Sequence, residues 1–316
     1  MKITKLVEEF AMEREDHKRL ERLKAKGQRI AFWASEASIR RFGFVYGKCL
    51  RALYWDFKGQ SPTNPMDARA LRTVTCGIEF ENRMNNDIKE MGLWDFKMNA
   101  KKKFFNEELN VSAEVDAFVL LEEQSVGLEY KTIYGYYSKK EIFTKRKPKV
   151  EALMQVLIYL YHFKVPFKLI YGTRDSQEVT EFDVTLDNLG YLKIDNEDPW
   201  IGLLSITDIK NRFDEFKKFQ EENTIPPRDY PVLGFSVDDL EAMSKLKLLT
   251  KTDTELLKAG KKIKKIPWQC TYCRFYFKCK NEAKRESGIV EPEEDLMVPF
   301  NKIEEQVISE EEEFTY

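Results

Sequence analysis

The chain has 316 residues, 52 of them Lys or Arg and 54 Asp or Glu, for a formal net charge of −2. At 34% charged and 42% hydrophobic residues it reads as a water-soluble globular protein, long enough for a substantial core, and no run approaches the roughly 20 apolar residues of a membrane helix. No signal-peptide stretch opens the chain, so an intracellular address and no membrane partner are expected. Five Cys is an odd number and too few for a disulfide scaffold of this size, which points to metal ligation, and the two His, His17 and His162, leave little room for imidazole mechanisms.

Residues 1–29 place Ile3, Leu6, Val7 and Phe10 at helical spacing among many charges, predicting a charged N-terminal helix. Ser35 is placed to cap a helix through Trp55, with Ile39, Phe42, Val45, Tyr46, Cys49, Leu50 and Leu53 on its apolar face. Ser61-Pro-Thr-Asn-Pro65 breaks the chain, and a second helix covers Ala68 to Met91. From Leu93 to Thr132 the texture becomes that of strands: Lys103-Phe-Phe, Val111 to Val115, Phe118 to Leu121 and Val126 to Tyr130, with turns at Asn106 and Gln124-Ser125. A helix is expected from about Lys149 to Phe163, strands at Phe167–Thr173 and Glu178–Val184, and helices at Leu203–Glu222 and Ser236–Leu249. Lys258 to Lys280 holds eight basic residues and no acid, whereas Glu291 to Tyr316 holds ten acids and only Lys302. The near-zero total therefore hides a local asymmetry that leaves a polyanionic partner open, and the acidic stretch over 288–316 is expected to be disordered.

The most informative stretch joins Glu114-Val-Asp116 to Glu129-Tyr-Lys131. Residues two apart on a strand share a face, so Glu129 and Lys131 point together, and a hairpin brings Asp116 to the same spot. Two hard carboxylates can hold Mg²⁺ or Mn²⁺, and the ammonium can orient an attacking water or neutralise a phosphate. Salt-bridged Glu and Lys on half-exposed strands produce the same pattern without any chemistry. Gln155 and Tyr159, one helical turn apart, follow the basic loop Lys145-Arg-Lys-Pro-Lys149 and share a helix face. Upstream, Gly77-Ile-Glu79-Phe-Glu81 offers a third carboxylate.

Cys270-Thr-Tyr-Cys273 and Cys279 form a C-x2-C-x5-C cluster, with Cys49 far upstream. Four thiolates complete either a [4Fe–4S] cluster or tetrahedral Zn²⁺, and would tie both ends of 30–287 into one domain. Cys76 has no nearby cysteine partner and reads as a buried small apolar residue.

Taken together, helix acid, Asp, Glu-x-Lys, Gln-x3-Tyr and one early Cys with a late C-x2-C-x5-C resemble the RecB-like PD-(D/E)XK nucleases that carry an iron–sulfur cluster. The most similar members are the CRISPR-associated iron–sulfur exonucleases and their phage relatives, and the resemblance spans Cys49 to Cys279. It implies an α/β fold, a PD-(D/E)XK nuclease core of central mixed sheet flanked by helices, with a helical iron–sulfur region. It further implies Asp116 and Glu129 as metal ligands, Lys131 as the catalytic lysine, Gln155 and Tyr159 as the last nuclease motif, and Cys49, Cys270, Cys273 and Cys279 as cluster ligands. The family places His four residues after the Gly of its first motif. Here that position is Glu81, with Glu79 as a competing register, and Ala113 stands where the family tends to have Gly.

The expected function is a metal-dependent exonuclease acting on single-stranded DNA ends, using Glu81, Asp116 and Glu129 for the metal. Lys139, Lys140, Lys145, Arg146, Lys147 and Lys149 would track the strand, with Tyr134, Tyr136 and Tyr137 as stacking platforms. The alternative is a non-catalytic nucleic-acid-binding subunit of a recombination or helicase assembly.

Overall fold

The computed structural model describes residues 31–289 apart from 262 and 264. The charged helix expected over 1–29 lies outside the described residues, as does the tail expected over 288–316 beyond its first two positions. The chain divides into two compact units, a larger one (31–60 with Ala70–Asp229) and a smaller one (Ser61–Arg69 with 230–289), where the sequence reading took 30–287 as one domain. No described helix is long and apolar enough to cross a membrane.

The larger unit is mixed α/β. In chain order it carries β1 (Phe32–Trp33), β2 (Ser38–Arg41), β3 (Phe44–Gly47), α1 (Leu50–Phe57), α2 (Ala68–Glu90), β4 (Lys103–Asn106), β5 (Val111–Glu114), β6 (Ala117–Leu121) and β7 (Gln124–Ile133). Then follow α3 (Val150–Phe163), β8 (Phe167–Thr173), β9 (Val179–Leu186), β10 (Leu192–Ile194) and α4 (Ile206–Glu221). The smaller unit contributes α5 (Val237–Lys245), α6 (Lys251–Lys258) and α7 (Tyr276–Glu286).

A five-stranded sheet in the order β10-β9-β8-β7-β6 forms the centre of the larger unit. β7 runs antiparallel to β6 and parallel to β8, and the β7-to-β8 crossover contains α3. Val126 to Tyr130 of β7 are all buried, as a strand covered on both faces must be. α3 buries nine of its 14 residues, which makes it a core helix rather than a half-exposed one. Against the other face α2 packs Phe80 and Ile88 onto Val119, Val126, Leu128, Tyr130 and Ile170. Phe80 fits because Gly172 of β8 has no side chain: a Cβ there would stand 2.5 Å from the ring. That close approach fixes the height of the following residue, Glu81, over the sheet. A second sheet, β1-β5-β4, receives the chain just before Asp116.

The helix expected from Ser35 to Trp55 is not formed. A short 3-10 turn at Ala34–Glu36 leads into the β2–β3 hairpin, and only α1 remains helical. Phe42 and Gly43 both hold positive φ, 53° and 81°, the two-residue turn that suits the twist of paired strands. Gly47 closes the hairpin at φ 96°, where a Cβ would stand 2.2 Å from the Ala37 carbonyl oxygen. The β6–β7 turn uses Glu122 and Glu123 at φ 48° and 67°, so Gln124 and Ser125 belong to β7 instead. The expected Ser236–Leu249 helix stops at Lys245, followed by Lys247 at φ 56° and then α6, which Thr250 caps.

A buried ion network joins α1, β2 and α4. Arg212, 3% exposed, donates from Nη2 to Asp229 Oδ2 at 2.7 Å, and Nη1 pairs with Glu215. The same Asp229 oxygen accepts the Leu50 N–H at 2.7 Å, the first amide of α1. Asp229→Asn removes the charge that balances Arg212 while Glu215 remains. A loss of about 3 kcal/mol in unfolding free energy is expected, at the lower end for a broken buried pair. Urea denaturation of the purified variant measures it.

Candidate active site

β6 and β7 pair from Leu121↔Gln124 down to Ala117↔Leu128, and the ladder ends there. Asp116 and Glu129, the next residues along, therefore flank a fork from which the Asp116 side leads back into the β5 sheet. Asp116 spans the opening by accepting the Tyr130 N–H on Oδ2 at 2.6 Å. Strand alternation turns Tyr130 toward α2, where its ring meets Phe80 edge-on at 6.1 Å, and turns Glu129 and Lys131 toward α3.

Lys131 Nζ donates to Glu129 Oε1 and, at 3.1 Å, to Gln155 Oε1. Gln155 Nε2 in turn donates to the Tyr159 hydroxyl at 2.6 Å, which donates to the Glu114 carbonyl at 3.2 Å. The one-turn spacing on α3 thus builds a relay that begins at β5 and ends on the ammonium. Glu129 is 1% exposed, whereas Lys131 keeps a third of its side chain open to solvent. Among the described residues, Glu129 Oε2 is buried with no close hydrogen-bond partner.

Three carboxylates lie within electrostatic reach of one another around this fork. Burial pushes Glu129 up to about 8, partly opposed by the Lys131 ammonium, with the Asp116 charge adding to the rise. Asp116 is likewise raised by burial, against the pull of the Tyr130 amide and Lys131. Glu81 is raised by burial first and by the Asp116 charge second, which places it within electrostatic reach of the pair. Glu81 is half-buried on α2 and Glu79 is exposed, so the helix turns the former toward the acids. Lys131 is raised because Glu129, Asp116 and Glu81 outweigh its own desolvation, and it stays an ammonium. Among the described residues no three His, Cys, Asp or Glu side chains close into a metal-holding group.

The basic loop is more committed than its sequence suggests. Lys139 pairs with Glu178 and Lys145 with Glu141. Arg146, at φ 53°, reaches Asp195, Thr180 Oγ1 at 3.0 Å and the Glu181 carbonyl at 2.8 Å, with its guanidinium 4.0 Å from the Phe182 ring. Lys140 lies over Tyr136 and Lys147 over Trp200, both at 5.7 Å, while Lys149 is exposed and caps α3. Tyr134, Tyr136 and Tyr137 are exposed at 62%, 67% and 81%.

Cys49 lies in the larger unit as the N-cap of α1, its thiol pushed up to about 11 by burial and then by Asp229. Cys270, Cys273 and Cys279 lie in the smaller unit. There the Phe275 N–H donates to Cys273 Sγ at 3.4 Å. The Pro-flanked break Thr63-Asn64 holds this loop: Asn64 Nδ2 donates to the Cys273 carbonyl at 3.1 Å, and both backbone amides donate to the Arg274 carbonyl. Sequence reading missed that role, although an Asn between prolines is a fair signal for a side chain used to pin a turn. Cys76, expected to be buried, is exposed on the first half of α2.

No family model matches the chain, and no curated protein matches it. Among solved structures, the crystal structure of SSO0001 is similar at a TM-score of 0.38 and 14% identity, over 70% of this chain and 88% of that one. That likeness is too loose to carry a fold or a function.

Proposed function

We propose that the chain is a divalent-metal-dependent deoxyribonuclease of the RecB-like PD-(D/E)XK type, hydrolysing phosphodiester bonds at single-stranded DNA ends in recombination, repair or DNA processing. On this reading the five-stranded sheet between α2 and α3 is the nuclease core. The observation that carries the proposal is the fork itself. Glu81, Asp116 and Glu129 come within electrostatic reach of one another around an ammonium that Gln155 holds in place.

These residues fit a hard cation. Glu129 Oε2 is buried and accepts no close hydrogen bond among the described residues, and a cluster of raised carboxylates is relieved by positive charge. Asp116 and Glu129 would hold Mg²⁺ or Mn²⁺, with Glu81 completing the set from α2. Such an ion supplies Lewis-acid polarisation of the phosphate and a nucleophile at neutral pH. The chain's own groups do the rest. Lys131 sets the attacking water and balances charge on the phosphate, and Gln155 and Tyr159 keep the ammonium from swinging away. Burial of Glu129 excludes water that would compete for the same oxygens.

The same reading assigns Cys270, Cys273 and Cys279 of the smaller unit to a [4Fe–4S] cluster, with Zn²⁺ as the alternative at these thiols. The N–H donated to Cys273 Sγ is the kind of contact that stabilises a thiolate ligand. Broad visible absorbance of anaerobically purified protein separates iron–sulfur from colourless zinc.

The deciding assay is degradation of end-labelled single-stranded DNA with Mg²⁺ or Mn²⁺. Loss of degradation on adding EDTA is expected. Binding of the strand with no metal-dependent cleavage would overturn the enzyme and favour a non-catalytic nucleic-acid-binding subunit.

A further inference from the structure

β7 and β8 end side by side, with Ile133 opposite Thr173, and the next residue of each strand is Tyr134 and Arg174. The Arg174 N–H donates to the Ile133 carbonyl at 2.9 Å, which holds the two together. The Arg174 guanidinium lies 5.6 Å from the centre of the Tyr134 ring, and that ring is 62% exposed.

Every other polar side chain of this turn is engaged. Asp175 accepts the Ser176 and Gly135 amides, Ser176 bonds Thr173, Gln177 accepts from Arg83, and Glu178 binds Lys139. Among the described residues Arg174 has no carboxylate partner, and its Nε is buried without a hydrogen bond. The contrast with Arg146, locked onto Asp195, is direct. A planar cation beside a tyrosine, not neutralised by a carboxylate among the described residues, suits a phosphate oxygen. An exposed tyrosine face beside it suits an unpaired base. Tyr134 directly follows β7, three residues beyond Lys131 and about 10 Å away at strand rise, close enough for one DNA strand to reach both.

Resting on the nuclease reading above, we propose that Tyr134 and Arg174 form a nucleotide subsite, the ring stacking one unpaired base and the guanidinium holding a backbone phosphate of the same single strand. It explains how the protein would prefer an open strand, since a paired base cannot lie on the ring.

The test is fluorescence-anisotropy titration of a labelled oligothymidylate, and of its duplex with oligoadenylate, against full-length protein in Ca²⁺ over a range of salt. Tyr134→Ala and Arg174→Ala are each expected to weaken single-strand binding about tenfold, the scale of one lost base stack. Arg174→Ala should also lower the salt slope by about 0.7, one single-strand phosphate contact. Tyr134→Phe keeps the ring and should bind as the parent does, and Tyr134→Ala should leave duplex binding unchanged. Unaltered single-strand affinity and slope in both alanine variants would overturn the subsite, whatever the cleavage assay gives. Tyr134→Phe weakening like Tyr134→Ala would overturn it too. Failure of the parent to cleave with Mn²⁺ counts against the nuclease reading, and the binding titration still judges the subsite on its own.

Discussion

Lys131→Ala is expected to lower cleavage of single-stranded DNA by about 100- to 1,000-fold, the usual loss when one preorganised group facing the developing charge is removed. The ammonium is held on two sides, by Glu129 Oε1 and by Gln155 Oε1, so its position does not depend on substrate. Losing it removes both the balance for phosphate charge and the anchor of the Gln155–Tyr159 relay. Asp116→Ala should be at least as severe, because it takes away a carboxylate of the proposed ion site together with the bond that spans the fork. Neither change should unfold the protein. In Lys131→Ala the buried Glu129 keeps its proton at neutral pH instead of standing as a bare charge, so the loss falls short of the roughly 3–5 kcal/mol of an uncompensated buried ion. Rates on end-labelled DNA, measured beside melting temperatures, check both statements. Undiminished turnover in either variant would remove Lys131 or Asp116 from the chemistry.

Much of the scaffold around the fork was legible because it obeys short-range periodicity. The strands from Lys103 to Tyr130 and the helix ending at Phe163 stand within a few residues of where alternation and the 3.6-residue repeat put them. Helical spacing also placed Gln155 and Tyr159 on one face, and their side chains are hydrogen-bonded to each other. What failed did so where the deciding partner is distant in sequence. The segment before Cys49 has helix-like apolar spacing, yet Gly43 and Gly47 favour a hairpin whose closing contact, Met154, lies more than a hundred residues away. Cys76 looked like a core residue, but it falls on a part of α2 that is exposed from Arg72 to Cys76. The basic loop read as free charge because the acids that neutralise Lys139 and Arg146 come from later in the chain, Glu178 just before β9 and Asp195 just after β10. Arg174 left no local mark at all: a lone arginine after a strand gains meaning only once Tyr134 is brought beside it. That α2 half-buries Glu81 and leaves Glu79 exposed depends on how the helix packs, through Phe80 against Gly172, a residue far away in sequence.

Affinity for Mn²⁺ is expected to climb about tenfold for each pH unit between roughly 5 and 8, and to level off above that. The cause is Glu129, which burial pushes up to about 8 in the metal-free protein, so a cation must displace its proton before using either oxygen. The sign for stability is opposite. A carboxyl whose folded-state value lies above its ordinary 4.5 stabilises the fold fully below that ordinary value, and the benefit disappears as pH rises through about 8. Metal-free protein should therefore melt at progressively lower temperature as pH is raised across that window, and added Mn²⁺ should restore the melting temperature most at the alkaline end. Glu129→Gln separates this cause from others, because an amide of the same shape has no proton to exchange. The variant should lose the pH-dependent part of the melting curve arising from this site, bind Mn²⁺ far more weakly at pH 8, and cleave no DNA. Lys131→Ala should shift the midpoint of the affinity curve to higher pH, since the ammonium is what holds Glu129 down. Isothermal titration in buffers of different ionisation enthalpy reads the displaced proton directly, and a proton count of zero at pH 6.5 would exclude Glu129 as a ligand.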